Sequence, residues 1–173
     1  MFEEAQYRLL RRMWPTRPDY GPVNFYEGKS KLKILMGEDF FSKLADKRVV
    51  DFGCGNGEDS VEMAQNGIKQ VIGIDIREEV LEVARRNAEA AGVQDACCFV
   101  TSTSERADAI VSVDAFEHFG DPGKILEIMN GLLADKGEVY VSFGPTWYHP
   151  LGGHMFSVFP WSHLIMSERA FIR

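Results

Sequence analysis

The sequence has no apolar run long enough to cross a membrane, and it has no surplus of basic residues. It contains 19 Lys and Arg residues against 26 Asp and Glu residues, which gives a formal net charge of −7 at pH 7. Nucleic acids and anionic membranes are bound by basic surfaces, so we expect neither of them as a partner. The one basic cluster, RLLRRMW at residues 8–14, is interpreted as the solvated face of a helix.

Cysteine is also scarce, since the chain has only Cys54, Cys97 and Cys98. Their odd number and the absence of a zinc-type spacing are typical of a protein from a reducing compartment. The first residues, MFEEAQYRLLRRMW, carry acids early and lack the long apolar core of a signal peptide. We therefore expect a cytoplasmic protein. The sequence pattern assigns no oligomeric state.

What is present is a regular alternation of strand and helix patterns that starts at Lys47. Short apolar runs typical of buried strands are RVVDF, QVIGIDI, ACCFVTS, DAIVSVDA and EVYVSFG. Amphipathic segments separate them, except that STSERA between the third and fourth strands is too short for a helix. The third crossover helix is expected to run on to Gly137. This alternation predicts an α/β fold with a doubly wound, mostly parallel sheet between two helical layers.

The N-terminal segment has a different pattern. Residues 2–13 are predicted to be helical, and the prolines of WPTRPDYGP then interrupt the helix. A second helix is predicted over residues 30–45, with Ser30 as its N-cap. We expect residues 1–46 to form a helical lid segment, residues 47–144 the α/β core, and residues 145–173 a loop and helix rich in aromatic residues and histidine.

The strongest motif is VVDFGCGNGEDSVEMA at residues 49–64, where glycines alternate between a strand and a helix. Such a loop lets the backbone approach a charged ligand closely. Two ligands fit, a nicotinamide dinucleotide and S-adenosylmethionine (SAM). The G-x-G-x-G spacing differs from the dinucleotide fingerprint G-x-G-x-x-G. Asp51 at the end of the first strand disfavours a pyrophosphate and suits an ammonium group.

Asp75 ends the second strand, QVIGID, where a carboxylate can accept hydrogen bonds from two ribose hydroxyls. Ile76 follows it and could cover one face of an adenine ring. Together with VVDFGCGNGED and ADAIVSVDAFEHFGDP, this segment resembles the Rossmann-like (class I) SAM-dependent methyltransferases, more narrowly the small-molecule "methyltransferase type 11" group. The resemblance covers about residues 47–144 and implies the strand order 3-2-1-4-5.

The resemblance also implies which residues contact the cofactor. These are Asp51, Gly53, Gly55, Asn56 and Gly57 at the methionyl end, Asp75, Ile76, Thr103 and Ser104 at the adenosine, and Asp114 and Ala115 after the fourth strand. Family members often carry an acid after the third strand that binds the adenine amino group. This chain has Ser102–Ser104 there, so the hydroxyl of Thr103 would have to replace the acid.

His118 is expected to face the acceptor substrate and to act as a general base, because histidine titrates near neutrality. Its alternative is a structural role in the loop. Substrate contacts are expected, on weaker grounds, at Tyr26, Trp147, His149 and His154. The histidines are loosely spaced, without clustered carboxylates, and we expect no metal site.

Three functions remain open at this point: methyl transfer from SAM to a small molecule, SAM binding without catalysis, and a nicotinamide oxidoreductase. The cofactor expected for the first two is SAM, with S-adenosylhomocysteine (SAH) as its product. In the family that this sequence resembles, the sheet ends with two further strands, and the last one is antiparallel. Only about thirty residues follow EVYVSFG here, so we expect either a minimal fold or, as the favoured interpretation, a fragment of a longer protein.

Overall fold

The computed structural model describes residues 2–13, 26, 28–146, 148–150 and 160–167. The chain divides into two compact units. The larger unit is Gly28–Phe143, and the smaller combines Met1–Glu27 with Gly144–Arg173.

The larger unit is built on one five-stranded sheet. Its strands are β1 (Arg48–Phe52), β2 (Gln70–Ile74), β3 (Cys97–Val100), β4 (Ala107–Val113) and β5 (Leu133–Ser142). They lie in the order β3-β2-β1-β4-β5, and every pair is parallel. The predicted fold class and strand order are therefore confirmed.

Helices accompany the strands in chain order. They are α1 (Phe2–Met13), α2 (Lys31–Met36), α3 (Phe40–Leu44), α4 (Glu58–Gln65), α5 (Glu78–Ala90), α6 (Pro122–Leu132) and α7 (Ser162–Ile165), with a 3₁₀ turn at Phe116–His118. The first and last of these helices belong to the smaller unit. Among the described helices, none has the length and apolar character that crossing a membrane requires.

Both faces of the sheet are buried, which explains why β1 is apolar on both sides. Val49 packs with Leu32 of α2, Phe40 of α3 and Met63 of α4. The neighbouring Val50 belongs to a separate cluster with Met129 of α6. A fully buried side chain of this size contributes about 1.5–3 kcal/mol to stability. The two clusters fix helices on opposite faces and hold the carboxyl ends of the central strands side by side.

The predicted helix over residues 30–45 is two helices. Ser30 is the N-cap, as predicted, because its Oγ accepts a hydrogen bond of 3.0 Å from the backbone N–H of Lys33. The helix then ends at Met36, since Gly37 has a φ of 104° that no α-helix accommodates. The prediction of one continuous helix is wrong at this glycine.

The third crossover helix is shorter than predicted. It ends at Leu132, and β5 begins at Leu133. Gly137 does not end a helix but lies within β5, where an added Cβ would come within 2.8 Å of Leu133 Cδ2 and 3.2 Å of the Asp108 carbonyl oxygen. The glycine therefore permits β5 to approach its neighbour closely. Residues 101–106, between β3 and β4, contain no helix, in agreement with the prediction.

The division of the structure differs from the predicted segments. Helices α2 and α3 pack in the sheet core, so they belong to the larger unit. The predicted boundary between residues 46 and 47 does not coincide with the observed divisions at residues 27/28 and 143/144.

Candidate ligand-binding site

The carboxyl ends of β1, β2 and β4 meet at one edge of the sheet. Asp51 of β1 lies opposite Gly73 of β2 and Val111 of β4. The segments that follow these strands therefore emerge together, and in open α/β sheets ligands bind at this edge. The predicted site residues of the larger unit are on these segments and on the loop after β3.

The three glycines of the loop after β1 serve different purposes. All have positive φ, 84° at Gly53, 50° at Gly55 and 76° at Gly57. A Cβ on Gly53 would lie 2.6 Å from Ala115 Cβ, and one on Gly57 would lie 2.8 Å from Ala84 Cβ. A Cβ on Gly55 would meet no atom within 4 Å. Gly53 and Gly57 thus permit close packing, whereas Gly55 faces open space.

Asp75, directly after β2, is only 8% exposed and is bound from two sides. Its Oδ2 accepts the backbone N–H of Gly55 at 3.1 Å, and its Oδ1 accepts the backbone N–H of Arg77 at 3.0 Å. The Arg77 guanidinium contacts both oxygens. Burial opposes ionisation, but these hydrogen bonds and the Arg77 charge outweigh it and lower the pKa of Asp75 below its ordinary value.

The predicted adenosine contacts lie around Asp75 in sequence and on the loop after β3. Ile76 is 89% exposed, which is unusual for a large apolar side chain and leaves it available to a flat ring. Thr103 is half-buried, and its Oγ1 accepts the backbone N–H of Glu105 at 3.1 Å. Ser104 is exposed. The Thr103 hydroxyl keeps its own proton and a second lone pair for a ligand.

Asp51 has a different environment. It is 3% exposed, and its Oδ2 accepts a hydrogen bond from the Ser60 hydroxyl in α4. Burial, with the nearby charge of Asp59, raises the pKa of Asp51 to about 7, although the Ser60 hydrogen bond and Lys31 act against the shift. Its carboxyl group is therefore bonded inside the protein, to the helix that follows the glycine loop.

Lys31 is a site residue that the sequence did not indicate. Its Nζ lies 3.4 Å from Asp59 Oδ2 and 3.1 Å from Asp114 Oδ2. Burial disfavours the ammonium form, but the two acids outweigh it and raise the pKa of Lys31. This cation connects α2 to the glycine-loop helix and to the segment after β4. No sequence spacing signals the contact, because its members are distant along the chain.

The segment after β4 begins in a left-handed conformation, with a φ of 51° at Asp114. Ala115 is buried against the glycine loop, whereas Asp114 is exposed. His118 ends the 3₁₀ turn and is exposed. Glu117, beside it, has one buried carboxylate oxygen with no hydrogen-bond partner among the described residues. A buried acceptor in this state is suited to a donor supplied by a ligand.

Asn56 completes the predicted set in the glycine loop. Its side chain is exposed, and its backbone carbonyl oxygen accepts a 2.9 Å hydrogen bond from Asn87 Nδ2 of α5. This bond ties the middle of the loop to the next helix. The loop conformation is thus held by α5 as well as by Asp75.

The substrate residues predicted elsewhere fall in the smaller unit or outside the description. Tyr26 is half-buried, and His149 is exposed, with its backbone N–H bonded to the Thr146 carbonyl oxygen at 2.9 Å. Trp147 and His154 lie outside the described residues. Within the described ranges, no group of three or more His, Cys, Asp or Glu side chains is arranged to hold a metal ion.

The three cysteines are unpaired, and their environments differ. Burial raises the pKa of the Cys97 thiol to about 11 and, with the charges of Asp51 and Asp75, also raises that of Cys54. Cys98 is exposed. None of the three has the electropositive setting of a reactive thiolate among the described contacts.

Comparison with known proteins identifies the class. A family model described as "Methyltransferase domain" matches residues 43–145, which is more than half of the chain. The chain belongs to this methyltransferase family. The predicted Rossmann-like methyltransferase family is therefore confirmed.

Individual relatives give more detail. The chain is 30% identical to the ubiquinone biosynthesis O-methyltransferase of Stutzerimonas stutzeri over 140 residues, covering 78% of this chain and 58% of the relative. The corresponding enzyme of Aeromonas salmonicida is 34% identical over 140 residues, with 78% and 57% covered. The chain thus spans a little more than half the length of these curated relatives.

Solved structures agree on the fold. A SAM-dependent methyltransferase from Thiobacillus denitrificans, in complex with S-adenosyl-L-homocysteine, has a TM-score of 0.53 at 25% identity, covering 69% of this chain and 51% of that one. A SAM-dependent methyltransferase from Geobacter sulfurreducens, in complex with the same compound, has a TM-score of 0.55 at 20% identity, covering 82% and 56%.

Proposed function

We propose that this chain binds SAM and forms the cofactor-binding part of a methyltransferase that acts on a small molecule. The observation that carries the proposal is the pairing of Asp75 with Gly55. The acid after β2 is held by the N–H of the one loop glycine that faces open space. A ribose with its two hydroxyls fits a carboxylate in this position.

The donor set around this pair fits the rest of the cofactor. The exposed Ile76 suits the adenine face, with Thr103 and Ser104 near its edge. The methionyl end carries both an ammonium and a carboxylate, so it requires groups of both charges. Asp114 and Lys31 supply one of each, 3.1 Å apart. The sequence predicts a direct cofactor contact at Asp51, but its carboxyl group is bonded to Ser60, so we propose that it holds α4 behind the loop of Gly53, Gly55, Asn56 and Gly57.

SAM, when bound, supplies an electrophilic methyl group on a positively charged sulfur. The chain's task is then to position a nucleophile in line with that group and to exclude water. His118 is proposed as the base that accepts the acceptor's proton at a ring nitrogen, because its imidazole is exposed three residues beyond Ala115. The orphan oxygen of Glu117 is proposed to accept a hydrogen bond from the acceptor.

The acceptor is proposed to be a small molecule with a hydroxyl group. The curated relatives named above are O-methyltransferases, which supports an oxygen nucleophile. Tyr26, Trp147, His149 and His154 remain proposed substrate contacts. An acidic chain with three unpaired cysteines also supports the proposal of a cytoplasmic protein.

Binding is tested by titration calorimetry with SAH and with NAD⁺. We expect SAH to bind in the micromolar range and NAD⁺ not to bind. Gly55→Val should abolish SAH binding because a branched side chain would fill the open space beside Asp75. Gly92→Val is the matched control, since Gly92 also has positive φ (70°) and open space but ends α5. SAH binding that survives Gly55→Val would contradict the proposed site, and equal losses in Gly55→Val and Gly92→Val would assign the effect to backbone strain.

Catalysis is tested by screening hydroxylated small molecules for SAM-dependent formation of SAH. Once an acceptor is found, His118→Ala should lower turnover roughly 10²- to 10⁴-fold while SAH affinity stays nearly unchanged. A variant that turns over normally but melts at a lower temperature would assign His118 to the fold instead. SAH binding without any turnover would favour the binding-only alternative.

A further inference from the structure

The carboxylate of Asp75 has no acceptor position left. A carboxylate offers about four lone-pair sites. Oδ1 accepts the backbone N–H of Arg77 at 3.0 Å and its Nε at 3.1 Å. Oδ2 accepts the N–H of Gly55 at 3.1 Å and Arg77 Nη2 at 3.2 Å. Two of the four bonds therefore come from backbone groups, and two come from one guanidinium.

These two pairs of donors differ in mobility. The backbone N–H groups are fixed, because Gly55 lies in the tied glycine loop and Arg77 is the N-cap residue of α5. The Arg77 side chain is 60% exposed and can rotate into solvent. If the guanidinium moved away, its two hydrogen bonds would be lost, and Asp75 would have two vacant lone-pair sites, one on each oxygen. A ribose diol needs two such sites.

We propose that the Arg77 guanidinium competes with the ribose hydroxyls for the two oxygens of Asp75. Cofactor binding then requires that the guanidinium leave Asp75. The inference rests on the proposed function of this site. Release of SAH would be assisted by the same group, which re-forms two charge-assisted hydrogen bonds as the diol leaves. Arg77 thereby weakens the binding of SAM and SAH alike and favours product release.

The charge around Arg77 is consistent with a mobile side chain. Among the described residues, the carboxylates that act on its guanidinium are Asp75 and Glu79, the latter in the first turn of α5. Asp75 is the only one of these within hydrogen-bond distance. The free side chain would therefore move toward solvent beside Glu79 without breaking a second ion pair.

The test is titration calorimetry with SAH on Arg77→Gln, Arg77→Lys and the parent. Arg77→Gln should bind SAH roughly three- to tenfold more tightly, because the guanidinium that competes for Asp75 is lost. Arg77→Lys keeps the positive charge but cannot bond both oxygens of Asp75 as a guanidinium does. Its SAH affinity should lie between those of the parent and Arg77→Gln. The difference between parent and Arg77→Gln should narrow at high salt, where the ion pair is screened. Arg86→Gln on the exposed side of α5 is the matched control for charge and should bind like the parent.

The outcomes separate the inference from the function it rests on. Equal or weaker SAH binding by Arg77→Gln, with the parent binding SAH, overturns the competition and leaves the proposed function intact. Tightening that Arg86→Gln reproduces would assign the effect to net charge and would also overturn it. An absence of SAH binding in the parent and in all variants overturns the proposed function and the inference together.

Discussion

The ends of β1 and β2 each carry an aspartate with little exposed surface, and Asp51 is the more deeply buried of the two. Asp51 is 3% exposed and Asp75 is 8% exposed. Their pKa values nevertheless move in opposite directions, to about 7 for Asp51 and below the ordinary value for Asp75. A low exposed fraction therefore does not by itself decide the charge of an acid at this edge of the sheet.

The difference comes from the deeper burial of Asp51 and from the hydrogen-bond donors and charges that each carboxylate meets. Asp75 receives two backbone N–H groups and a guanidinium, all of which stabilise its anion. Asp51 receives the hydroxyl and the backbone N–H of Ser60, but its burial and the charge of Asp59 oppose its ionisation. The end of β2 thus presents a stable negative charge to a ligand, whereas the end of β1 holds a proton whose presence depends on pH near neutrality.

The comparison of Asp51 with Asp75 predicts its largest effect for the free energy of unfolding, which should depend on pH through Asp51. The unfolded chain releases the Asp51 proton near pH 3.8 and the folded protein near pH 7. Between these values the folded state binds more protons, so Asp51 makes the protein less stable as pH rises from about 4 to 7. Asp51→Asn should remove up to about 4 kcal/mol of this decline. Urea unfolding at several pH values measures it.

The control for that experiment is Asp95→Asn, which replaces an exposed aspartate near β3. It should leave the pH dependence of the unfolding free energy unchanged. A parent and an Asp51→Asn variant with parallel stability profiles from pH 4 to 8 would show that Asp51 is ionised throughout, like Asp75.

The second effect is on ligand binding. Asp75→Asn should weaken SAH binding by roughly 1–3 kcal/mol, because charge-assisted hydrogen bonds to the ribose are lost. Asp51→Asn should weaken it much less, since the Asp51 carboxyl is bonded to Ser60. Calorimetric titration of both variants at pH 8 gives the comparison. Equal losses in the two variants would break the distinction between the strand ends.

The smallest effect sharpens the account of Asp51. Ser60→Ala removes the side-chain donor to Asp51 and keeps the backbone one, which costs about 1 kcal/mol and raises the pKa of Asp51 further. The decline of stability with pH should then continue beyond pH 7. In an Asp51→Asn background, Ser60→Ala should not change the pH dependence at all. A change that persists there would mean that Ser60 acts through another group.

Sequence patterns predicted the sheet well because each strand is an apolar run between a turn and a helix pattern. They failed where local and tertiary preferences compete. Gly37 reads as tolerable within a helix, yet its φ of 104° ends one. LLADKG continues the helical pattern of α6, yet pairing with β4 draws Leu133 into a strand. Such choices depend on neighbours that are distant in sequence.

For the site, the spacing of Gly55 and Asp75 was enough to predict two residues that the structure joins by a hydrogen bond. Lys31 was not predictable, because its contacts with Asp59 and Asp114 arise only when α2, α4 and β4 are packed. The contact of the Arg77 guanidinium with both oxygens of Asp75 depends on a side-chain rotamer, which residue spacing does not predict. The roles of His118 and of the substrate residues stay predictions.

The unequal exposure of the three cysteines offers a route to site-specific labelling. At neutral pH a maleimide reacts with thiolates, and the raised pKa values of Cys54 and Cys97 keep those thiols protonated. Cys98 is exposed and lies in β3, directly paired with Ile72 of β2. One equivalent of a fluorophore would therefore attach to β3, the edge strand that pairs with β2, without any engineered substitution.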